Sequence, residues 1–119
     1  MTGEKDDLRK RTKRFALPVI KVYETLCRSG SAQVLGHQLL RSGTSVGANF
    51  REAHRARSNA EFVSKVGDSL RELEETAYWL ELLAELGTVT QQKLALLLDE
   101  TSQLTAILTS IAKRVRARL

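Results

Sequence analysis

Two histidines and one cysteine are the side chains in this chain that are best suited to bind a metal or attack a substrate. His37 and His54 lie far apart, and neither has a cysteine or a carboxylate at the spacing that metal ligands usually show. Cys27 falls on an apolar stripe, so its position favours core packing over a role as nucleophile. These residues predict neither a metal site nor a catalytic centre.

Two further segments resemble sites of metal or phosphate chemistry without completing them. Glu72, Glu74 and Glu75 could suggest a carboxylate metal site, but the Glu-x-x-His motif of di-iron bundles is missing. The glycines at Gly43 and Gly47 flank a short polar segment, but no Gly-Lys-Ser/Thr follows, so it is not a nucleotide-binding loop. We therefore predict that the protein is not an enzyme and uses no metal, cofactor or small-molecule substrate.

The balance of charge indicates a different chemistry. The chain has 19 lysine and arginine residues against 14 acidic ones, which gives a net charge of +5. Such an excess indicates an anionic partner, and nucleic acid is the commonest one. A charge that only maintains solubility is the alternative. The few aromatic residues mostly fit apolar faces, so we expect binding by charge and shape, without base stacking.

Length and composition limit the architecture that could carry this charge. The 119 residues fit one domain, and a hydrophobic fraction of 42% is enough for a core. No apolar run approaches the roughly 20 residues that span a bilayer. The charged first residues do not resemble a signal peptide, and one cysteine cannot form an internal disulfide. We expect a cytoplasmic protein without membrane contact.

Apolar residues recur at helical spacing in four blocks, which predicts helices over about 6–28, 32–56, 59–86 and 90–117. A capping box starts the third helix: the Ser58 hydroxyl would cap the Glu61 amide, and Glu61 would reach back. Gly87 would cap the carboxyl end of the same helix. Four long helices joined by short turns predict an all-α, antiparallel, up-down-up-down four-helix bundle.

Two segments weaken the helical pattern. Pro18 falls inside the first block and predicts a kink or a restart, at a cost of about 3 kcal/mol if nothing compensates. The second block contains weak helix formers over 42–47, which leaves a loop as the alternative to a helix there. Gly36, Gly43 and Gly47 would allow a neighbouring backbone to come close, and a helix tolerates glycine for that purpose.

The predicted bundle brings four chain segments to one end: the starts of the first and third helices and the ends of the second and fourth. Thirteen of the nineteen basic residues lie in these segments, and we call them the basic pole: Arg9, Lys10, Arg11, Lys13, Arg14, Arg51, Arg55, Arg57, Lys65, Lys113, Arg114, Arg116 and Arg118. Basic side chains neutralise phosphates and release counterions, so the pole is the predicted nucleic-acid-binding site. The helix macrodipole is an alternative reason for cations at helix carboxyl ends, but not at the start of the first helix.

The third predicted helix has more apolar surface than one core-facing stripe needs. Trp79, Leu82 and Leu86 form a second stripe at helical spacing, which predicts an oligomer interface, with Gly43 and Gly47 as further interface residues. The alternative is a wide core face, in which Trp79 lies along a neighbouring helix.

Three sequence segments carry a resemblance to known proteins. The segment RSGTSVGANFREA, at 41–53, resembles the signature of a small four-helix-bundle family, the 23S rRNA intervening-sequence proteins. With HRARSNAEF and YWLELL, the chain is more similar still to the accessory variability proteins of diversity-generating retroelements. The resemblance runs from about Leu8 to Ile111. It implies a basic homopentamer of four-helix bundles that is not an enzyme and works beside a reverse transcriptase and its RNA.

We therefore expect an accessory scaffold that binds RNA, DNA or both through the basic pole. By the resemblance, its partners would be a reverse transcriptase and template RNA in mutagenic reverse transcription. The alternative is a protein-interaction scaffold, in which the acidic third helix and Trp79 carry the function and the pole docks an acidic partner. Salt-sensitive RNA binding by the isolated protein separates the two.

Overall fold

Four α-helices account for nearly all of residues 2–26 and 28–119, the part of the chain that the computed structural model describes. They are α1 (Thr2–Thr25), α2 (Gly30–His54), α3 (Asn59–Glu85) and α4 (Gln91–Arg116). No β-strand occurs among these residues. The predicted all-α class with four helices is confirmed, whereas the packing predicted for Cys27 lies outside the described residues.

Local signals set both ends of α3. The Ser58 hydroxyl oxygen accepts a hydrogen bond from the Glu61 amide at 3.1 Å, as predicted. The reciprocal bond from the Ser58 amide to the Glu61 carboxylate is not formed within the described chain. Gly87 has a φ of +70°. Its amide donates to the Ala84 carbonyl at 3.1 Å, and the Thr88 amide donates to the Leu83 carbonyl at 3.2 Å. This Schellman motif confirms the predicted glycine cap.

Helix α1 differs from its prediction at two places. It begins at Thr2, ahead of the expected start near Asp6, because contacts with distant helices hold its first turn. Glu4 pairs with Arg114, and the Lys5 ammonium lies 4.3 Å from the centre of the Phe62 ring. The helix also continues through Pro18, which excludes the restart, while the alternative of a kink stays a prediction. Pro18 is exposed, and water can reach the Arg14 carbonyl that loses its helical donor there.

Helix α2 is continuous over 42–47, which confirms the helical interpretation of this polar segment. The Thr44 hydroxyl donates to the Leu40 carbonyl at 2.7 Å, and the Ser45 hydroxyl donates to the Arg41 carbonyl at 2.6 Å. These bonds return the hydroxyls to the helix backbone, where they do not interrupt the helical ladder. The close approach of α1 favours the same conformation, because glycine at 43 and 47 leaves room for it.

The helices pack in chain order, and the ring closes where α1 meets α4, the thinnest of the four contacts. Helices α1 and α4 run antiparallel, since Arg11 pairs with Glu100 and Glu4 pairs with Arg114 further along α4. Helices α2 and α3 also run antiparallel, since Arg41 pairs with Glu72 and the later Glu52 pairs with the earlier Lys65. The described chain extends 46 Å in its longest direction, which is little more than one helix length. Among the described residues, no helix has the length and apolarity needed to cross a bilayer.

The core runs the length of the bundle and is tied across α2 and α3 by buried hydroxyls. The Thr76 hydroxyl donates to Ser42 Oγ at 2.9 Å, and the Ser69 hydroxyl donates to the Val46 carbonyl at 2.9 Å. Because buried polar groups are costly when unpaired, these two bonds fix the register of α3 on α2. Phe50 and Phe62 meet edge to face, with ring centres 6.2 Å apart, just inside the end that carries the basic residues.

Candidate nucleic-acid interface

The antiparallel helices bring the segments of the basic pole to one end of the bundle. At the start of α1, Glu4 Oε2 lies 2.7 Å from Arg114 Nη2 of α4. At the end of α2, Glu52 Oε2 lies 3.7 Å from Lys65 Nζ of α3. Arg11 and Arg14 lie deeper, because a rise of about 1.5 Å per residue places Arg14 near the middle of α1. The pole therefore extends from the bundle end along the side of α1.

Two of its arginines are bound to carboxylates on the side where α1 meets α4. Arg11 donates from Nε and Nη2 to the two carboxylate oxygens of Glu100, at 2.9 and 2.8 Å, and from Nη2 to Gln103 Oε1 at 2.9 Å. The Glu100 bonds raise the pKa of Arg11. A hydrogen bond from Arg114 lowers the pKa of Glu4. A phosphate that approached this side would compete with both carboxylates.

Three other cations of the pole share acidic neighbours. Arg9 Nη2 and Lys10 Nζ lie 2.8 and 3.2 Å from the two oxygens of Asp6. Hydrogen bonds from Arg9 and then Lys10 lower the pKa of Asp6. Lys65 Nζ lies between Glu52 and Asp68, at 3.7 and 3.9 Å. These pairs are partly exposed, so each contributes little to stability and leaves its cation partly available.

The remaining cations of the pole are exposed. Arg118 is among them. Seven others make no ion pair with any residue of 2–26 or 28–119: Lys13, Arg14, Arg51, Arg55, Arg57, Lys113 and Arg116. We call these seven residues the unpaired cations. A phosphate can approach them without displacing a carboxylate, so they are the part of the pole best suited to a polyanion.

Sequence reasoning missed two basic residues that work inside the fold. Lys5 lies over the ring of Phe62, and Arg41 of α2 bridges Glu72 and Glu75 of α3, with its Nη1 3.2 Å from Glu72 Oε1. Glu72 and Glu75 are three residues apart, so they share one helix face. This spacing was the signal in the sequence that could have indicated a cation between them. The cation between them comes from another helix, and its identity depends on the register of α2 on α3. Part of the acidic run on α3 is therefore neutralised within the chain.

The residues of the predicted interface stripe become more exposed from Trp79 to Leu86. Trp79 is partly buried against the core, and its Nε1 is buried without an acceptor among the described residues. Leu82 is half-buried, whereas Leu86 is 60% exposed and the adjacent aromatic Tyr78 is 54% exposed. The Trp79 ring thus belongs largely to the fold of the single chain, and Leu86 is the member of the stripe that another molecule could reach most readily.

The two glycines assigned to the same interface lie against α1 of their own chain. A Cβ at Gly43 would lie 2.6 Å from Val19 Cγ1, and a Cβ at Gly47 would lie 3.0 Å from the Thr12 carbonyl oxygen. Gly43 is buried, and both residues face α1 of the same chain. Their missing side chains serve the close packing of α1 on α2. The predicted approach of a neighbouring backbone is confirmed at Gly47, whereas Gly43 makes room for the Val19 side chain.

The residues considered for catalysis are dispersed. His37 packs beside Tyr23, with ring centres 5.6 Å apart, while His54 is half-buried at the end of α2. Within the described residues, no group of three histidine, cysteine, aspartate or glutamate side chains is placed to hold a metal. Glu72 and Glu75 pair with Arg41, whereas Glu74 is exposed and makes no ion pair within the described residues.

A groove of about 570 Å³ lies between α1 and α4, away from most of the pole. It is lined by Pro18, Lys21, Val22, Glu24, Thr25, Lys93, Leu96, Leu97 and Glu100. Its rim carries charges of both signs, so it is less suited to phosphate than the unpaired cations are.

Comparisons with known proteins give a consistent family and fold. The family model described as 23S rRNA-intervening sequence protein matches residues 4–110. A crystal structure of a protein of unknown function from the S23 ribosomal protein family of Bacteroides thetaiotaomicron superposes with a TM-score of 0.85 and 34% sequence identity. The match covers 95% of this chain and 99% of that one. No curated protein sequence gives a significant match.

Proposed function

Because the chain belongs to the 23S rRNA-intervening sequence protein family, we propose that it is a non-enzymatic accessory protein that binds RNA. Binding would occur in the cytoplasm, through phosphate contacts made by the unpaired cations. The one observation that carries this proposal is their arrangement. They are exposed side chains of one sign from α1, from α2 and the turn that follows it, and from α4, and no acidic partner holds them within the described residues.

Phosphate contacts position a protein on nucleic acid but carry little sequence information. The same cations would therefore also attract duplex DNA, and DNA belongs to the proposal as a second ligand. The family name concerns ribosomal RNA, which favours RNA as the first ligand to test. Discrimination would come from the shape of the nucleic acid and not from base contacts, since Phe15 and Phe50, the aromatic residues next to unpaired cations in the chain, are buried in the core.

We propose in addition that the chain works as a homo-oligomer, a pentamer by the resemblance to accessory variability proteins. Leu86, with Leu82 and the edge of Trp79, would form the contact between chains. In a ring, the basic poles would repeat around one axis, and weak contacts to a single RNA would combine into tighter binding.

The retroelement role is the most specific part of the proposal. It rests on the resemblance of segments 41–53, 54–62 and 78–83 to accessory variability proteins. In that role the unpaired cations would hold template RNA while another face docks a reverse transcriptase. Co-purification of the protein with a reverse transcriptase encoded beside it would support this role, and the absence of such a gene would contradict it.

A second candidate function is docking of another protein by α3. Tyr78 and Leu86 are exposed apolar residues on this helix, and Glu74, Glu81 and Glu85 are exposed near them without ion pairs in the described chain. An apolar patch beside acidic residues suits a basic amphipathic partner. This function would leave the unpaired cations without a role.

The test of RNA binding compares two triple substitutions that remove the same charge from opposite ends of the bundle. Arg55→Ala, Lys113→Ala and Arg116→Ala remove unpaired cations. Lys21→Ala, Arg28→Ala and Lys93→Ala are the control, and all three of these residues are exposed. Affinity for a structured RNA is measured over a salt series. We expect the first variant to lower the slope of log K against log salt by about 2–3, and the control to leave it unchanged.

Equal losses in both variants would show that only net charge matters, and no loss in either would move RNA binding away from the pole. Failure of the wild-type protein to bind RNA at low salt would contradict the proposed function itself and favour protein docking by α3.

A further inference from the structure

The closest approach of α1 to α2 leaves an open groove on the surface of the bundle. Because Gly47 has no side chain, the Thr12 backbone can pack against it, and a groove of about 170 Å³ remains above the contact. Small or short side chains form its floor: Thr12, Ala16, Thr44, Gly47 and Ala48. Among the described residues, no acidic side chain lines it.

Three basic side chains also line this groove. Arg9 and Lys13 come from α1, one turn apart, and Arg51 comes from α2. Lys13 and Arg51 are both exposed and belong to the unpaired cations. Arg9 forms an ion pair with Asp6, which lies one turn nearer the end of the bundle. The same carboxylate also pairs with Lys10. Arg55 follows Arg51 by one turn, so the basic surface continues from the groove to the end of α2.

The other side of α1 also carries two basic residues, but one of them is paired with a carboxylate. Arg11 is held by both carboxylate oxygens of Glu100, and Arg14 lies further out on the same side. The sequence places these residues in one basic segment, Arg9 to Arg14, but the fold divides them between two faces. Of these two sides of α1, the side towards α2 presents cations around a depression that no carboxylate of the described residues lines, whereas Glu100 lines the other.

We propose that the phosphate backbone of RNA lies along the α1–α2 face, with one phosphate seated in the groove between Lys13 and Arg51. This inference rests on the proposed RNA-binding function and assigns it to one face of the bundle. The groove is below the roughly 300 Å³ at which pockets for drug-sized ligands begin, and its flat apolar floor offers few polar groups to orient an organic molecule. A single phosphate group of a longer chain fits its size and charge.

The first experiment measures RNA affinity over a salt series for Lys13→Ala with Arg51→Ala. Its control is Lys21→Ala with Lys93→Ala, which removes two exposed cations that line the groove between α1 and α4. We expect the Lys13/Arg51 variant to lower the salt slope by about 1–2, from the loss of the phosphate that the two cations share and of any neighbouring phosphate contact, and the control to keep the wild-type slope. Circular dichroism of both variants checks that the helices are retained.

A second pair of variants adds charge and leaves the cations in place. Ala48 and Ala106 are exposed alanines inside helices, but only Ala48 lines the groove. We expect Ala48→Glu to weaken RNA binding about threefold or more at about 0.15 M salt, because one repulsive charge about 4 Å from a phosphate costs about 1 kcal/mol in water before screening. Ala106→Glu makes the same change in the groove between α3 and α4. It should leave affinity within about twofold at this salt concentration, because charges more than about 8 Å apart are largely screened.

The outcomes separate the site from the function. Wild-type RNA binding that is unaffected by either groove variant would overturn the assignment to the α1–α2 face and leave the proposed function standing. Equal weakening by Ala48→Glu and Ala106→Glu would also overturn it, because net charge alone would then explain the effect. Absence of wild-type binding to RNA, with groove-dependent binding of polyglutamate, would overturn both in favour of an acidic protein partner.

Discussion

At the scale of single residues, the carboxylate beside each cation decides what that cation can bind. Arg11 and Arg114 belong to the same basic stretches as Arg14 and Arg116, but Glu100 and Glu4 hold them in hydrogen-bonded pairs. Reversing Arg11 or Arg114 to glutamate would place two carboxylates together at the thin contact between α1 and α4, and stability as well as binding would change. The unpaired cations are therefore the informative positions for substitution.

The pair of Glu4 with Arg114 predicts a dependence of stability on pH. A hydrogen bond from Arg114 lowers the pKa of Glu4 below its ordinary value of 4.5 in the folded state. The unfolded chain then binds more protons in acid, so this stabilisation is complete above pH 4.5 and is lost as the pH falls through the folded pKa. In Arg114→Ala, we expect a smaller decrease in stability between pH 6 and pH 3 than in wild type, measured by urea unfolding.

Lys113→Ala is the control for this measurement, since Lys113 is exposed on the same turn of α4 and makes no ion pair within the described residues. It should retain the wild-type dependence on pH. If Arg114→Ala retained it too, Glu4 would not be linked to folding through Arg114.

Two glycines predict opposite effects of the same substitution. In Gly43→Ala the new methyl group would meet Val19, which is fully buried and stiff at χ1, so we expect an overpacking cost of about 1–3 kcal/mol. In Gly67→Ala nothing lies within 4 Å of the new group, and a helix interior gains about 0.5–1 kcal/mol from the change. Urea unfolding of both variants measures the difference, and a Gly43→Ala protein as stable as Gly67→Ala would contradict the close contact of α1 with α2.

At the scale of helices, the sequence contains most of what determines the elements. The apolar period, the Ser58 cap and Gly87 were sufficient to predict four helices and both ends of α3. That the basic segments meet at one end of the bundle also follows from the sequence, because short turns join the long helices. The pairing of particular charges does not follow, because Arg11 and Glu100 are 89 positions apart and their meeting depends on how α1 is shifted along α4. The first turn of α1 was missed for the same reason.

Helix α1 predicts a stabilising substitution at its proline. Pro18 lies in the helix interior and is exposed, so alanine would restore a backbone hydrogen bond without disturbing the core. We expect Pro18→Ala to raise the free energy of unfolding, by up to about 3 kcal/mol. Leu17→Ala is the neighbouring control, since Leu17 is 58% exposed and its loss should change stability by no more than about 0.5 kcal/mol. An unchanged or lower stability of Pro18→Ala would indicate that the proline is compensated locally.

At the scale of the whole molecule, the bundle separates two kinds of surface. The basic pole covers one end and the side of α1, whereas exposed apolar residues such as Leu86 lie towards the opposite end of α3. An oligomer formed through Leu86 would leave the unpaired cations accessible. Nucleic-acid binding and assembly would then use different residues, and each could be removed without the other.

This separation predicts a variant that changes mass and retains RNA contacts. Leu86→Glu introduces charge at a residue that is 60% exposed, so the fold of the single chain should persist. We expect its mass in solution to shift towards the monomer, measured by light scattering. Leu96→Glu is the control, because Leu96 is 76% exposed on α4, outside the predicted interface. A wild-type mass already equal to one chain, or an unchanged oligomer in Leu86→Glu, would contradict this interface.

The most direct test of the central claim is the salt dependence of wild-type binding to a structured RNA. Each phosphate contact contributes about 0.7–0.9 to the slope of log K against log salt, so contacts from most of the unpaired cations predict a slope of about −4 to −6. A slope of this size would support a phosphate-binding surface built from these residues. No binding at low salt, or binding with a slope near zero, would contradict it.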